Sequence, residues 1–161
     1  MNPCLSLNWS VEPAVTPAGK VRCLSFIVPT HDEAWTLRGL YQGIRRQAEA
    51  VADDWEILFI DRGSGVTTCR TIEELSRRDP GHVRGDCDCG ARSRSDALAL
   101  GYRMARGVYV FTVEPDLDDD PGEIPRFLER IRGGGDEVET GGEHSDRWRK
   151  ILPRGVLRRM T

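Results

Sequence analysis

The sequence predicts an α/β fold, a mainly parallel central sheet with helices packed on both faces, and three observations lead there. Short, near-continuous apolar runs, CLSFIV (23–28), WEILFI (55–60) and GVYVFTV (107–113), alternate with segments whose apolar residues recur at helical spacing. Continuous rather than alternating apolar strands belong to parallel sheets covered on both sides. Each run also ends in a polar cluster, PTHDE, DRGSG and EPDLDDD in turn. In parallel sheets, ligands bind beyond the carboxyl ends of the strands, where these clusters fall.

Taken in order, residues 1–20 hold three prolines and no periodicity, and read as a loose arm or a short extra strand; residues 21–161 read as one domain. CLSFIV is a buried strand that ends at Pro29. After His31-Asp32-Glu33, the residues Leu37, Leu40, Tyr41, Ile44, Ala48 and Val51 fall on one helical face. WEILFI is the second strand and DRGSGVTT a turn-rich loop. Ile72 and Leu75 mark a more polar helix closed by Asp79-Pro80-Gly81, and HVRGD (82–86) is a short third strand. Residues 92–106 form a helix with Ala97, Leu100, Gly101 and Met104 inward. GVYVFTV is the strongest strand. Pro121 opens a last helix carrying Ile124, Phe127, Leu128 and Ile131 on one side, and RGGGD (132–136) stops it.

Composition narrows the function. The 161 residues, 39% hydrophobic, suffice for one real core. A net charge of −3 exerts no general pull on nucleic acid. No apolar stretch approaches the roughly 20 residues of a membrane span. The first residues lack the basic start and apolar run of a signal peptide. Five cysteines without framework spacing suit reduced thiols and a cytoplasmic location, and Cys87-Asp88-Cys89 near His82 lacks the second pair a zinc site requires.

The segment VEPDLDDDP packs five carboxylates into nine positions directly after a buried strand. Asp118, Asp119 and Asp120 suit the cap and first turn of the next helix. Glu114 and Asp116 follow the strand and alternate across one residue, so in an extended segment they point the same way. Two such carboxylates hold a hard divalent ion, Mg²⁺ or Mn²⁺, alongside diphosphate oxygens. An EF-hand is excluded: counted from Asp116, position six is Pro121 and position twelve Phe127. No G-x-G-x-x-G occupies a first β–α turn, so a dinucleotide site is unsupported.

FIVPTHDE, EILFIDRGSG, ALALGYRMARGVYVFTVEPDLDDDPGEIPRFLERI and DRWRKILPRG together resemble the successive blocks of family 2 glycosyltransferases. The resemblance is greatest to the polyprenyl-phosphate sugar synthases, typified by dolichol-phosphate mannose synthase. It covers about residues 23–157. It implies a GT-A fold, an α/β/α sandwich that transfers a sugar from a UDP- or GDP-sugar with inversion, a hexosyl or mannosyl transfer. By the same resemblance Pro29, His31 and Glu33 line the nucleoside, and Phe59 and Asp61 flank the base. Glu114, Pro115 and Asp116 contact the sugar nucleotide, and Glu114, Asp116 and Asp118 hold Mg²⁺ or Mn²⁺. The implied acceptor is a polyprenyl phosphate at the inner membrane surface. Its ionised oxygen needs no strong base, whereas an alcohol acceptor would use Asp119 or Asp120.

The chain departs from that pattern in several places. His31 stands for a tyrosine, Glu114 for an aspartate, Pro115 for a small residue and Arg62 for the second acid of D-D-G-S. The family arginine expected near 141 is replaced by Glu139-Thr140-Gly141-Gly142. The domain is expected to be short at its C-terminus relative to the family. Arg147, Arg149, Lys150, Arg154, Arg158 and Arg159 offer a basic surface for phosphate or anionic headgroups, or a solvated helix face. Two alternatives stand beside the enzyme: a non-catalytic nucleotide-sugar-binding descendant, and a partner chain or homodimer that supplies the acceptor half.

Overall fold

A computed structural model describes residues 15–16, 19–87, 90–115, 120–132 and 152–153. Five strands form one sheet in the order β3-β2-β1-β4-β5: β1 (Val21–Thr30), β2 (Ala52–Asp61), β3 (Val83–Asp86), β4 (Tyr109–Thr112) and β5 (Leu152–Pro153). β1 through β4 run parallel, and β5 closes the edge antiparallel to β4. The connecting helices are α1 (Ala34–Val51), α2 (Val66–Arg78), α3 (Arg94–Met104) and α4 (Ile124–Arg132). A 3-10 turn, Pro121–Glu123, precedes α4 where a helix start was expected at Pro121.

Strand alternation sorts the core into two layers. Phe26, Val28, Ile57, Phe59, Phe111 and Val113 face α1, α2 and α4, where Leu37, Ile44, Ile72, Ile124 and Leu128 cover them. Ile27, Leu58, Ile60 and Val110 face α3 and meet Ala97 and Ala105. The helix α3 lies close to β1 because Gly101 has no side chain: a Cβ there would come within 2.4 Å of Ile27 Cγ2. The expected strands are all present. β1 continues through Pro29 to Thr30, since a proline at a strand end gives up only one ladder donor.

β3 is short and edge-placed. Its neighbour His82 stacks on Trp55, ring centroids 4.3 Å apart, and its Nδ1 lies 2.8 Å from Asp79 Oδ1. Of the described cysteines, Cys23, Cys69 and Cys87 are free thiols; Asp88 and Cys89 lie outside the described residues. Val15 makes an isolated antiparallel bridge to Val21. No helix among the described residues is long and apolar enough to cross a membrane.

Candidate functional site

The carboxyl ends of β1, β2 and β4 lie side by side in the sheet, and the loops after β1 and β2 are hydrogen-bonded to one another. β1 and β2 stay in register to the last pair, Thr30 with Asp61, and the Arg62 N–H continues the ladder to the Thr30 carbonyl at 3.0 Å. Beyond it, Asp32 adopts a left-handed backbone (φ 60°), a conformation aspartate tolerates better than most residues. Two hydrogen bonds fix it there. The Asp32 N–H donates to Ser64 Oγ at 2.9 Å, and the Gly65 N–H donates to Asp32 Oδ1 at 2.7 Å.

Asp61 organises the second loop. Its nearly buried carboxylate accepts from the N–H groups of Gly63 (2.9 Å) and Ser64 (2.8 Å), from Thr30 Oγ1 (3.2 Å) and from the Ser64 hydroxyl. Gly63 takes a positive φ of 85°, which closes this tight turn. The aspartate expected to meet a base thus holds the loop that frames the site.

Glu33 occupies the residue before α1, but its side chain does not cap that helix. It turns back to accept the His31 N–H at 2.9 Å. Burial raises the Glu33 carboxyl above its ordinary value. The His31 N–H and the positive charge of Arg62 pull it down, while the charge of Glu114 pushes it up. One carboxyl therefore senses the loops after β2 and β4 together, which brings all three expected clusters into one electrostatic neighbourhood.

The third loop leaves β4 through Val113, fully buried, whose N–H donates to the Ile27 carbonyl at 2.9 Å. Pro115 is also buried. Glu114 is ion-paired to Arg94 at the first position of α3, with Nε 2.6 Å from Glu114 Oε1 and Nη2 on the same oxygen. On the far side, Asp120 Oδ1 accepts the Gly122 N–H at 2.8 Å, the capping role its position suggested. Pro121 packs so tightly on α1 that a Cβ on Gly43 would lie 2.6 Å from its ring. Both ends of the acidic segment are anchored, while Asp116, Asp118 and Asp119 lie outside the described residues.

The expected site residues divide accordingly. His31, Glu33, Asp61 and Glu114 gather at the mouth of the sheet, and Pro29 is buried at the end of β1, paired with Ile60. Phe59 does not join them as a base-flanking side chain. It is fully buried in the layer beneath α1, because alternation along β2 turns it into the core. Sequence reasoning passed over Asp32, Ser64, Arg94 and Trp35, the last 75% exposed at the start of α1. The signal for Trp35 was its place off the apolar face of that helix. Arg94 carried none, because its partner is 20 residues away.

For a divalent cation, the donors available are hard carboxylate oxygens, the chemistry Mg²⁺ and Mn²⁺ prefer. Among the described residues no group of three or more His, Cys, Asp or Glu side chains is arranged to hold a metal ion. Glu114 is a suitable single donor. A complete set requires the acidic residues that follow it.

The sequence profile described as Glycosyl transferase family 2 matches residues 25–149. Among curated proteins, the chain is 28% identical over 120 residues to the undecaprenyl-phosphate 4-deoxy-4-formamido-L-arabinose transferase of Pseudomonas fluorescens (strain SBW25). That match covers 74% of this chain and 35% of the relative. The protein of the same description from Proteus mirabilis (strain HI4320) is 26% identical over 121 residues, covering 75% and 37%. The chain thus spans about a third of the length of these relatives. Among solved structures, a mannosyltransferase from Pyrobaculum calidifontis in complex with GDP-Man and Mn²⁺ superposes with a TM-score of 0.51 at 21% identity, over 65% of this chain and 30% of that one. Glucosyl-3-phosphoglycerate synthase from Mycobacterium tuberculosis in complex with UDP gives 0.53 at 18% identity, over 73% and 42%. These likenesses establish the GT-A fold.

Proposed function

The chain belongs to glycosyl transferase family 2, and on that premise we propose that it binds a nucleoside-diphosphate sugar at the carboxyl edge of its sheet and transfers the sugar to a lipid phosphate. The observation that carries this reading is the delivery of the loops after β1, β2 and β4 to one edge of the parallel sheet, with Glu33 and Glu114 both there and the first two loops hydrogen-bonded through Asp32, Ser64 and Gly65. The solved relatives described with GDP-Man or UDP support the donor class, and the undecaprenyl-phosphate relatives support the acceptor.

In this reading Pro29, His31 and Glu33 form the wall for the nucleoside, and the loop held by Asp61 closes over its edge. Glu114, with Asp116 and Asp118, is proposed to hold Mg²⁺ or Mn²⁺. The bound cation would neutralise the leaving diphosphate. A phosphate oxygen of the acceptor attacks the anomeric carbon as the bond to the diphosphate breaks, which inverts that centre. That oxygen is already ionised at neutral pH, so no strong base is required; with an alcohol acceptor, Asp119 or Asp120 would take the proton. The work is proposed to occur at the cytoplasmic membrane face, where lipid phosphates are accessible.

Isothermal titration of UDP- and GDP-sugars, with and without Mn²⁺, tests the reading. One nucleotide family binding in a cation-dependent manner is expected. Absence of cation-dependent binding to either would defeat it. Transfer and hydrolysis assays then separate an enzyme from a chain that only binds.

A further inference from the structure

Two of the described thiols meet where α2 crosses the end of β3. Between the parallel strands β2 and β3 the helix runs back against them, so the first turns of α2 lie over the carboxyl end of β3. The register is fixed one turn further along the helix: a Cβ on Gly85 would collide with Ile72 Cγ2 and lie 3.5 Å from Ser76 Oγ. Cys69 is three residues before Ile72, about 4.5 Å toward the start of α2, on the stripe it shares with Ile72, Glu73 and Ser76. Cys87 is two residues after Gly85, about 6.6 Å toward the carboxyl end, and it packs on the same apolar layer as Val83. Both displacements run the same way, and the two thiols meet in a hydrogen bond. Each is half-buried. A cavity of about 510 Å³, lined by Ile72, Glu73, Ser76 and Gly85, reaches Cys87.

The Cys87 thiol is pushed well above its usual range. Burial is the largest cause, followed by the hydrogen bond and charge of Cys69 and then by the charges of Asp61 and Glu73. Cys87 therefore stays protonated, and a first attack on an oxidant falls to Cys69.

We propose that Cys69 and Cys87 are an oxidation site, closed into a disulfide by hydrogen peroxide and reopened by a dithiol. The Cys69 sulfur attacks one peroxide oxygen, the O–O bond breaks, and a sulfenic acid forms with loss of one water. The Cys87 sulfur then attacks the Cys69 sulfur, and its proton leaves with the displaced oxygen as a second water. Two thiols and one peroxide give one disulfide and two waters. The sulfenic acid is neutral, so the Cys69 charge no longer opposes ionisation of Cys87 when that sulfur must react. The bond pins the first turns of α2 to the end of β3. Cys69 lies one turn after Gly65, whose N–H is held by Asp32 at 2.7 Å, so the bond tightens the helix that carries the loop after β2. This chemistry is independent of which ligand the sheet mouth binds.

The test is disulfide mapping of the 161-residue chain. Reduced protein is exposed to hydrogen peroxide, blocked with iodoacetamide and digested without reductant. Peptides carrying Cys69 and Cys87 are expected to be linked, with the other three of the five cysteines alkylated. The melting temperature is expected to rise by about 5–10 °C, as for a bond closing a loop of this length, and to return with dithiothreitol. Cys69→Ser and Cys87→Ser should each abolish the link and the rise, while Cys23→Ser keeps both. Dimedone should trap a sulfenic acid at Cys69 in Cys87→Ser, and none at Cys87 in Cys69→Ser. The wild-type map stands by itself if a serine variant does not fold. Overoxidation without a link, a disulfide through Cys4, Cys23 or Cys89, both thiols still free after treatment, or an unchanged melting temperature overturns the proposal.

Discussion

Asp32 is held in a conformation that L-residues visit at a cost of about 1–2 kcal/mol, and its carboxylate meets the Gly65 N–H at 2.7 Å. Replacing it by alanine keeps the unfavourable φ and removes the bond that offsets it. We expect Asp32→Ala to lower unfolding free energy by about 1–2 kcal/mol in urea titrations, with looser binding of any ligand at the mouth. Glu33 behaves differently, because burial raises its carboxyl above the ordinary value. A raised carboxyl binds its proton more tightly folded than unfolded, so folding is penalised once pH exceeds the unfolded value. The penalty is complete above the folded value and vanishes when both states are protonated. Glu33→Gln should therefore raise the melting temperature at pH 7 and leave it unchanged near pH 3. Equal shifts at both pH values would show that packing rather than ionisation is responsible. At this scale the sequence was readable in part. PTHDE marked His31 and Glu33 as site residues, but the left-handed turn at Asp32 depends on Ser64 and Gly65, more than thirty residues on. Phe59 was legible as a core strand residue, and the same alternation that buries it removes it from the base.

Between elements, the feature that holds the sheet's opposite end is a carboxylate inside an apolar strand. Glu56 is fully buried on β2, and the Ser25 hydroxyl donates to it at 2.7 Å from β1. The Arg106 N–H (2.6 Å) and Nε (3.0 Å) reach it from the segment between α3 and β4. The Gly107 N–H donates to Ser25 Oγ at 2.7 Å, and a Cβ at Gly107 would lie 2.4 Å from the Ser25 nitrogen, so the chain must approach β1 bare there. This network sets where β4 begins, and through it where Glu114 emerges. Removing the carboxylate leaves the buried Ser25 hydroxyl and the Arg106 N–H without their acceptor, while the half-exposed Arg106 guanidinium turns to water. Glu56→Ala should cost about 2–3 kcal/mol, the penalty for leaving buried donors unmatched, read by chemical denaturation. A loss under about 1 kcal/mol would mean water replaces the carboxylate. Periodicity and turn residues were enough to find the four helices and the parallel strands of the described residues, because each element's own residues carry its pattern. The Glu56 network left only one trace, a charge inside WEILFI. Its partners come from residues 31 before and 50 after, a separation no local pattern encodes.

For the molecule as a whole, the order of the motifs was legible because a parallel sheet delivers every β–α loop to one edge, whatever the intervening lengths. What the sequence left open is how charge is shared at that edge, since the pairing of Glu114 with Arg94 depends on how α3 packs across β1 and β2. The consequence is a binding site coupled to global stability. A ligand that ties together the loops after β1, β2 and β4 binds the folded state alone, and at a hundred times its dissociation constant adds about 2.7 kcal/mol. For a domain near this size, that corresponds to a rise of about 5–11 °C in melting temperature. Differential scanning fluorimetry with saturating UDP- or GDP-sugar and Mn²⁺ should show a shift of that order for one nucleotide family. Glu114→Ala should lose most of the part that Mn²⁺ contributes, while Arg38→Ala, whose ion pair with Glu74 lies on the exposed faces of α1 and α2, should retain the whole shift. A full shift in Glu114→Ala would move the cation away from the end of β4.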